Sequence, residues 1–396
     1  MFRDFATLGG WSPGPVVATI GFFDGLHLGH QHLLDCLSAA VGERAARSLV
    51  ITFSNSPRAF HQPGSVLRYL TMPEEKLQLL AASGVDATLM IEYNESVAIQ
   101  TAAMFLKGIS HFVELAGLCA GYDTTIGSDM VGGKEGLEQL TGKLGIDLIF
   151  VEPFLADGRP VKSSQARRLV RAGEVERARV VMGHPYFAIS KVRRGKGKGA
   201  KRLGIPTANL YLPWQKLTPK AGVYAALGEV LGESYPAAVC VMSDEQARRT
   251  VLEREETGGE SGTRMQRNNH DVWKGSATPL DGRGHRLLPH TELGGAARCG
   301  GVHTVMEAHI IGYSGETARS GRPEPLYDLP LKLSFVARLR DWIDFDTQGA
   351  LQEQMLQDIA ETERIIAKES GERSPERGVG TPGSGLVIQD WEGGRS

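Results

Sequence analysis

In its first half the chain alternates short apolar runs with helix-patterned segments, and this alternation constrains its fold more than any other feature. Segments 16–22, 48–53, 85–91, 118–121 and 147–151 read as strands, while 30–41, 74–83 and 136–143 carry helical spacing. Strand–helix–strand repetition requires right-handed crossovers, and so a parallel sheet covered by helices. Sheets of this kind bind their ligands beyond the carboxyl ends of the strands.

After Gly183-His184-Pro185-Tyr186 the pattern changes. Val192 and segments 223–227, 237–241, 304–311 and 331–337 are short, separated by Gly/Pro turns and poor in helix signals. They predict a small antiparallel β-barrel. A closing helix over 348–368 repeats apolar residues at Leu351, Met355, Ile359, Ile365 and Ile366. The expected class is therefore α/β plus β. A length of 396 residues suits two domains, 1–182 and 183–370. Within the second, 243–300 has almost no apolar periodicity, and the tail 371–396 is rich in Gly, Ser and Pro. Neither can bury enough apolar surface to offset its ordering entropy, so both are expected to be disordered.

Composition excludes some classes of function. A 41% hydrophobic and 23% charged chain of net charge −2 matches a soluble globular protein and argues against nucleic-acid or membrane partners. No apolar run approaches the ~18–20 residues that span a bilayer. The first ten residues include Arg3 and Asp4 and no continuous apolar stretch, unlike a secretory signal. Cys36, Cys119, Cys240 and Cys299 form no CxxC pair and suggest neither a zinc site nor a disulfide framework. A cytoplasmic location is expected.

The most informative segment is Gly21-Phe22-Phe23-Asp24-Gly25-Leu26-His27-Leu28-Gly29-His30, which follows a strand and opens a helix. Gly21 and Gly25 allow a tight turn and close backbone approach to a ligand. His27 and His30 lie about one turn apart near a helix N-terminus, whose free N–H groups favour phosphate. Two imidazoles there can donate to a polyphosphate and steady the charge of departing pyrophosphate. An isolated HxxH is more often a surface or metal-binding pair; its place after the glycine turn favours a nucleotide site.

This decamer resembles the HxGH nucleotidyltransferase superfamily, specifically the adenylyltransferase module of bacterial bifunctional riboflavin kinase/FAD synthetases. Tyr69-Leu70-Thr71, Glu75-Lys76, Gly84-Val85-Asp86 and Gly121-Tyr122-Asp123 match the same module. Lys162-Ser163-Ser164-Gln165-Ala166-Arg167 corresponds to its SSTRIR motif, with Gln165 in place of the first arginine. Thr52-Phe53-Ser54-Asn55-Ser56-Pro57-Arg58 stands where the family has TFDPHPR. The resemblance implies a Rossmann-like domain. It assigns ATP to Gly21, Phe22, Asp24, Gly25, His27, His30, Ser163, Ser164 and Arg167, and flavin to Asn55, Pro57, Tyr122 and Asp123. Ser163 or Ser164 also reads as the N-cap of the next helix. Gln165 carries no charge with which to clamp phosphate, so a slower reaction is expected.

A second signal, Gly204-Ile205-Pro206-Thr207-Ala208-Asn209, follows Gly195-Lys196-Gly197-Lys198-Gly199. The basic cluster alone fits a solvated loop, a phosphate site or an RNA contact. The PTAN tetrapeptide resembles the signature of riboflavin kinases. Segment 216–224 resembles the run that follows PTAN, and 305–311 the family strand carrying a glutamate. The resemblance implies that Gly195, Gly197, Gly199, Pro206, Thr207 and Asn209 hold ATP or flavin. It further implies that Thr207 and Asn209 ligate Mg²⁺ and that Glu307 is the general base. His309 reads as a packing or hydrogen-bonding residue. Val239-Cys240-Val241-Met242 departs from the flavin-side loop of the family.

Together these imply ATP-dependent conversion of riboflavin to FMN and of FMN to FAD, with small molecules as the partners. Two alternatives stay open: one activity retained alone, or a non-catalytic flavin- or nucleotide-binding regulator.

Overall fold

The computed structural model describes residues 1–11, 14–62, 67–193, 205–243, 246, 304–313 and 326–371. Gly195, Gly197 and Gly199 lie outside them, as does the expected disorder in 243–300 and 371–396, apart from Ser243, Gln246 and Gly371.

In chain order the first half contains β1 (Val16–Ile20), α1 (Leu28–Arg44), β2 (Arg47–Phe53), α2 (Pro57–His61), α3 (Pro73–Ala82), β3 (Ala87–Ile91), α4 (Glu95–Ala98) and α5 (Ala102–Ser110). There follow β4 (Leu115–Gly121), β5 (Thr125–Ile126), β6 (Val131–Gly132), α6 (Gly133–Leu144) and β7 (Asp147–Val151). A small hairpin of β8 (Leu155–Ala156) and β9 (Arg159–Pro160) leads to α7 (Ser163–Ala172) and α8 (Val175–Met182). The main sheet has the order β3-β2-β1-β4-β7, and every pairing is parallel. All residues of β1 and β3 are buried, as expected of strands covered on both faces. From β1 the chain runs outward to one side through β2 and β3, then returns to the other through β4 and β7. The topological switch point thus lies between β1 and β4, where ligands of such sheets bind.

The second half contains β10 (Phe187–Arg193), β11 (Ala208–Leu212), β12 (Gly222–Val230), β13 (Glu233–Val241), β14 (Thr304–Ile310) and β15 (Pro330–Asp341). They close a barrel in the order β10-β11-β14-β13-β12-β15. A C-terminal helix, Gln348–Gly371, packs against β12, β13 and β15. Inward residues such as Leu210, Tyr224, Val239, Met306 and Phe335 form one core, which also takes in Ala166, Leu169, Val170, Ala178 and Met182 of α7 and α8. These two helices of the first half therefore pack onto the barrel.

The expected parallel sheet, barrel and closing helix are present. The sequence marks β10 only at Val192 and reads β11 as part of a motif rather than a strand. Both extend the barrel from four expected full strands to six.

A buried ion pair joins the halves. Lys216 Nζ donates to Glu75 Oε2 (2.5 Å), Leu70 O (2.6 Å) and Phe187 O (2.8 Å). Glu75 also accepts from the backbone N–H groups of Met72 and Ile189. Burial raises the carboxyl and lowers the amine, and each partner opposes the other's shift. Only the ionised pair satisfies all these bonds, because three donors on Lys216 require the ammonium.

Candidate functional site

The first candidate site is built at the switch point. His27 is the N-cap residue of α1, and His30 sits in its first turn. Their rings stack, with centroids 3.7 Å apart and planes inclined by 18°. Burial lowers the His27 pKa to about 4, Asp24 opposing and Arg167 adding to the shift. Burial and the neighbouring His27 hold His30 well below the ordinary histidine range. Both rings are therefore neutral near pH 7.

A cavity of about 140 Å³ opens over this pair, lined in part by Tyr122 and Asp123 after β4, Glu152 and Phe154 after β7, and Lys162 and Ser163 at the start of α7. Among its buried polar atoms, His27 Nδ1, His30 Nδ1 and Tyr122 Oη have no hydrogen-bond partner. Buried polar groups are rarely left so.

Loop 22–27 leads into His27 at the cavity wall. Phe23 and Leu26 adopt left-handed φ angles of 50° and 35°, each costing of order 1–3 kcal/mol. At Gly25, φ 80°, any side chain would be strained, and an added Cβ would stand 2.6 Å from Leu70 Cδ1. Asp24 anchors the loop rather than facing the cavity. Its carboxylate accepts from Thr71 N (2.9 Å), Leu70 N (3.1 Å) and Arg167 Nη2 (2.7 Å). Arg167 is thus held on Asp24, and Ser163 Oγ donates to Asp24 O. Lys76, buried beneath the loop, places Nζ 3.9 Å from the Phe22 ring centroid and donates to Phe53 O; burial lowers its pKa to about 7.

Of the expected residues, His27, His30, Tyr122, Asp123 and Ser163 meet around the cavity. Gly21, Phe22, Asp24, Gly25 and Arg167 build the turn beside it. The capping expectation is corrected: the N-cap of α7 is Lys162, and Ser163 is its first helical residue. Ser164 is exposed on the same turn. Asn55 and Pro57 lie after β2, outside the cavity lining, and the Asn55 amide bonds to the backbone N–H and C=O of Tyr93. Sequence reasoning missed Glu152, Phe154 and Lys162; the end of β7 and the residue before Ser163 were the available signals.

The second candidate site lies on the outer face of the barrel. Asn209 of β11 pairs in register with Glu307 of β14, which pairs on its other side with Cys240 of β13. Their neighbours Ala208, Leu210, Ala308 and Val239 point into the core, so the alternation of a strand turns this trio outward. Thr207 is half-buried just before β11, Pro206 is exposed, and Asn209 is 4% exposed. His309 Nδ1 lies 2.8 Å from Pro206 O and fixes the approach to Thr207, matching its expected hydrogen-bonding role. Burial, then Glu307, pushes the Cys240 thiol up to about 12. Nearby, Arg340 holds Asp358 of the C-terminal helix through Nε (2.9 Å) and Nη2 (2.7 Å).

Thr207 and Asn209 offer two short neutral oxygen donors beside a carboxylate. That donor set fits Mg²⁺, which takes few protein ligands and completes its shell with water and substrate phosphates. Among the described residues no cluster of three His, Cys, Asp or Glu side chains could hold a metal. Nor is any described helix long and apolar enough to cross a membrane.

Comparison with known proteins parallels this two-site architecture. A family described as FAD synthetase matches residues 11–165, and one described as riboflavin kinase matches residues 182–366. The chain is 30% identical over 221 residues to the bifunctional riboflavin kinase/FMN adenylyltransferase of Bacillus subtilis (strain 168), covering 55% of this chain and 69% of that protein. Against the protein of the same description from Pseudomonas fluorescens it is 31% identical over 227 residues, covering 56% and 70%. A solved structure described as a macrolide-efflux protein from Streptococcus pneumoniae superposes with a TM-score of 0.66 at 21% identity, covering 91% of this chain and 97% of that one. This last likeness shows the fold alone. With both halves matched in tandem and relatives covered over more than two thirds of their length, the chain belongs to the bifunctional riboflavin kinase/FMN adenylyltransferase family.

Proposed function

We propose that this chain phosphorylates riboflavin to FMN with ATP and then transfers the adenylyl group of a second ATP to FMN, giving FAD. Residues 1–182 carry adenylyl transfer, 183–370 carry the kinase, and 371–396 form a tail outside both. The proposed setting is the cytoplasm. The observation that carries the reading is the tandem itself: each matched half gathers its own motif residues, His27 with His30 in one and Asn209 with Glu307 in the other.

In the first site an FMN phosphate oxygen attacks the α-phosphorus of ATP. The new P–O bond forms as the bond to the β-phosphate oxygen breaks, and pyrophosphate leaves. The chain supplies position and charge stabilisation. His27 and His30 offer ring N–H groups to the polyphosphate, aided by the N-terminus of α1, Ser163 and Lys162. Asp24 and Arg167 hold the loop that presents them.

In the second site Glu307 accepts the proton of the riboflavin 5′-hydroxyl as its oxygen bonds to the γ-phosphorus, and ADP departs. Thr207 and Asn209 would hold Mg²⁺, which when bound spreads the charge of the transferring phosphate. Gly195, Gly197 and Gly199 are assigned to the nucleotide or flavin of this site by family resemblance.

Incubation with riboflavin, ATP and Mg²⁺ followed by chromatography of the flavins tests the reading. FMN and FAD are expected; riboflavin recovered unchanged would overturn it. The engagement of Asn55 with Tyr93 favours one second reading, a kinase whose adenylyltransferase is weak. FMN accumulating without FAD would select it.

A further inference from the structure

The loop that presents His27 has a support which the proposed chemistry does not use. Its two strained residues, Phe23 and Leu26, flank Gly25 within four positions. Non-glycine residues keep left-handed angles only where their surroundings fix them. Asp24 fixes one side of this turn. The other side is held by the junction between α8 and β10.

His184 lies in that junction. Its Nε2 is 3.0 Å from Gly25 O, and its Nδ1 is 2.9 Å from Pro185 O. Gln31 of α1 repeats the arrangement one residue on, donating from Nε2 to Leu26 O (2.8 Å) and to Met182 O (2.7 Å). Gly183 closes the joint, since a Cβ there would stand 2.6 Å from Leu28 Cδ2 and 3.0 Å from the Gln31 amide. Two consecutive carbonyls of the loop, Gly25 and Leu26, are thus tied to the point where the chain enters the barrel. Burial lowers the His184 pKa, and its contacts with the Pro185 and Gly25 carbonyls oppose that shift. The Pro185 contact is local and holds no distant element. The Gly25 contact spans 159 positions of the sequence.

We propose that His184 is a positioning residue for adenylyl transfer, its Nε2–H holding the Gly25 carbonyl and so the peptides that lead into His27. It touches no reacting atom. It acts through the loop, and it makes the geometry of the first site depend on how the chain enters the second domain. The proposal rests on the reading of the first site as the adenylyl-transfer centre.

The test uses the full-length protein and three substitutions. A glutamine amide reaches the place of Nε2, an asparagine amide only that of Nδ1, and alanine neither. His184→Ala and His184→Asn are expected to lower kcat for FAD formation from FMN by about tenfold, the effect of one lost hydrogen bond. KM for FMN and the rate of FMN formation from riboflavin should stay within about twofold of the wild type. His184→Gln should restore most of the rate. Full FAD formation by His184→Ala, with an active wild type, would overturn the positioning role alone. So would an equal loss of both products, or a loss in His184→Gln as large as in His184→Asn, because each marks a general structural part. If the alanine variant fails to fold, the glutamine–asparagine comparison still decides. A wild type that forms no FAD would instead overturn the reading of the first site, and this proposal with it.

Discussion

Asn209 and Glu307 face each other as register partners across β11 and β14, on the side of the barrel opposite its core. Residues so paired have Cβ atoms roughly 5 Å apart, which sets a carboxylate beside an amide oxygen without any loop to position it. On the proposed reading, the pair would place Glu307 as base beside a metal-bound phosphate with little rearrangement. Glu307→Gln should lower riboflavin phosphorylation by roughly 10²–10⁴, the usual worth of a general base. FAD formation from supplied FMN should be unchanged. Initial rates with each flavin, measured separately, check both parts.

The first site should fail in the opposite pattern. His30→Ala removes one of the two stacked rings, and with it a proposed donor to the polyphosphate. FAD formation should fall below detection in a standard assay, while FMN formation persists. Loss of both products in a folded variant would contradict separate sites.

Acid should weaken the first half through its buried histidines. His27 has its pKa lowered to about 4 against an ordinary value of 6.5. Between those values the unfolded chain binds more protons than the folded one, so stability falls as pH drops through this window. For His27 alone the loss approaches roughly 3 kcal/mol near pH 4. His27→Gln should flatten this part of the decline. Urea midpoints of wild type and variant at pH 7, 6 and 5 measure it.

The Lys216–Glu75 pair should behave as a buried bridge does when one side is removed. Lys216→Met leaves a carboxylate with no cation and should cost about 3–5 kcal/mol. The double variant Lys216→Met/Glu75→Gln should lose less than the sum of the two single losses. A double-mutant cycle from urea unfolding gives the coupling; strict additivity would show that the contact carries no energy.

The layout of the fold was legible because periodicity reports burial. The alternation before residue 150 predicted the parallel sheet, and the closing helix was readable from Leu351 to Ile366. Missed elements have physical causes. Proline and the motif itself masked the strand character of Ala208–Leu212, although its burial as β11 is what makes Asn209 face Glu307. Helix α5 has apolar residues at Ala102, Phe105, Leu106 and Ile109, a helical spacing that went unread. His27, His30 and Glu307 were nameable because their neighbours form contiguous motifs. The contacts of His184 with Gly25, Lys76 with Phe53 and Lys216 with Leu70 span 23 to 159 positions, and no local pattern encodes such pairings. Asp24 shows the converse: a motif residue whose position was legible but whose work, anchoring Leu70, Thr71 and Arg167, was not.

The proposed function requires one chain to perform two chemically distinct transfers from ATP. Supplying riboflavin with ATP labelled at either the α- or the γ-phosphorus, and following label into each flavin, tests this most directly. FMN should take up only the γ label, and FAD should contain both, one from each transfer. FAD lacking the α label, or FMN lacking the γ label, would contradict the proposed function.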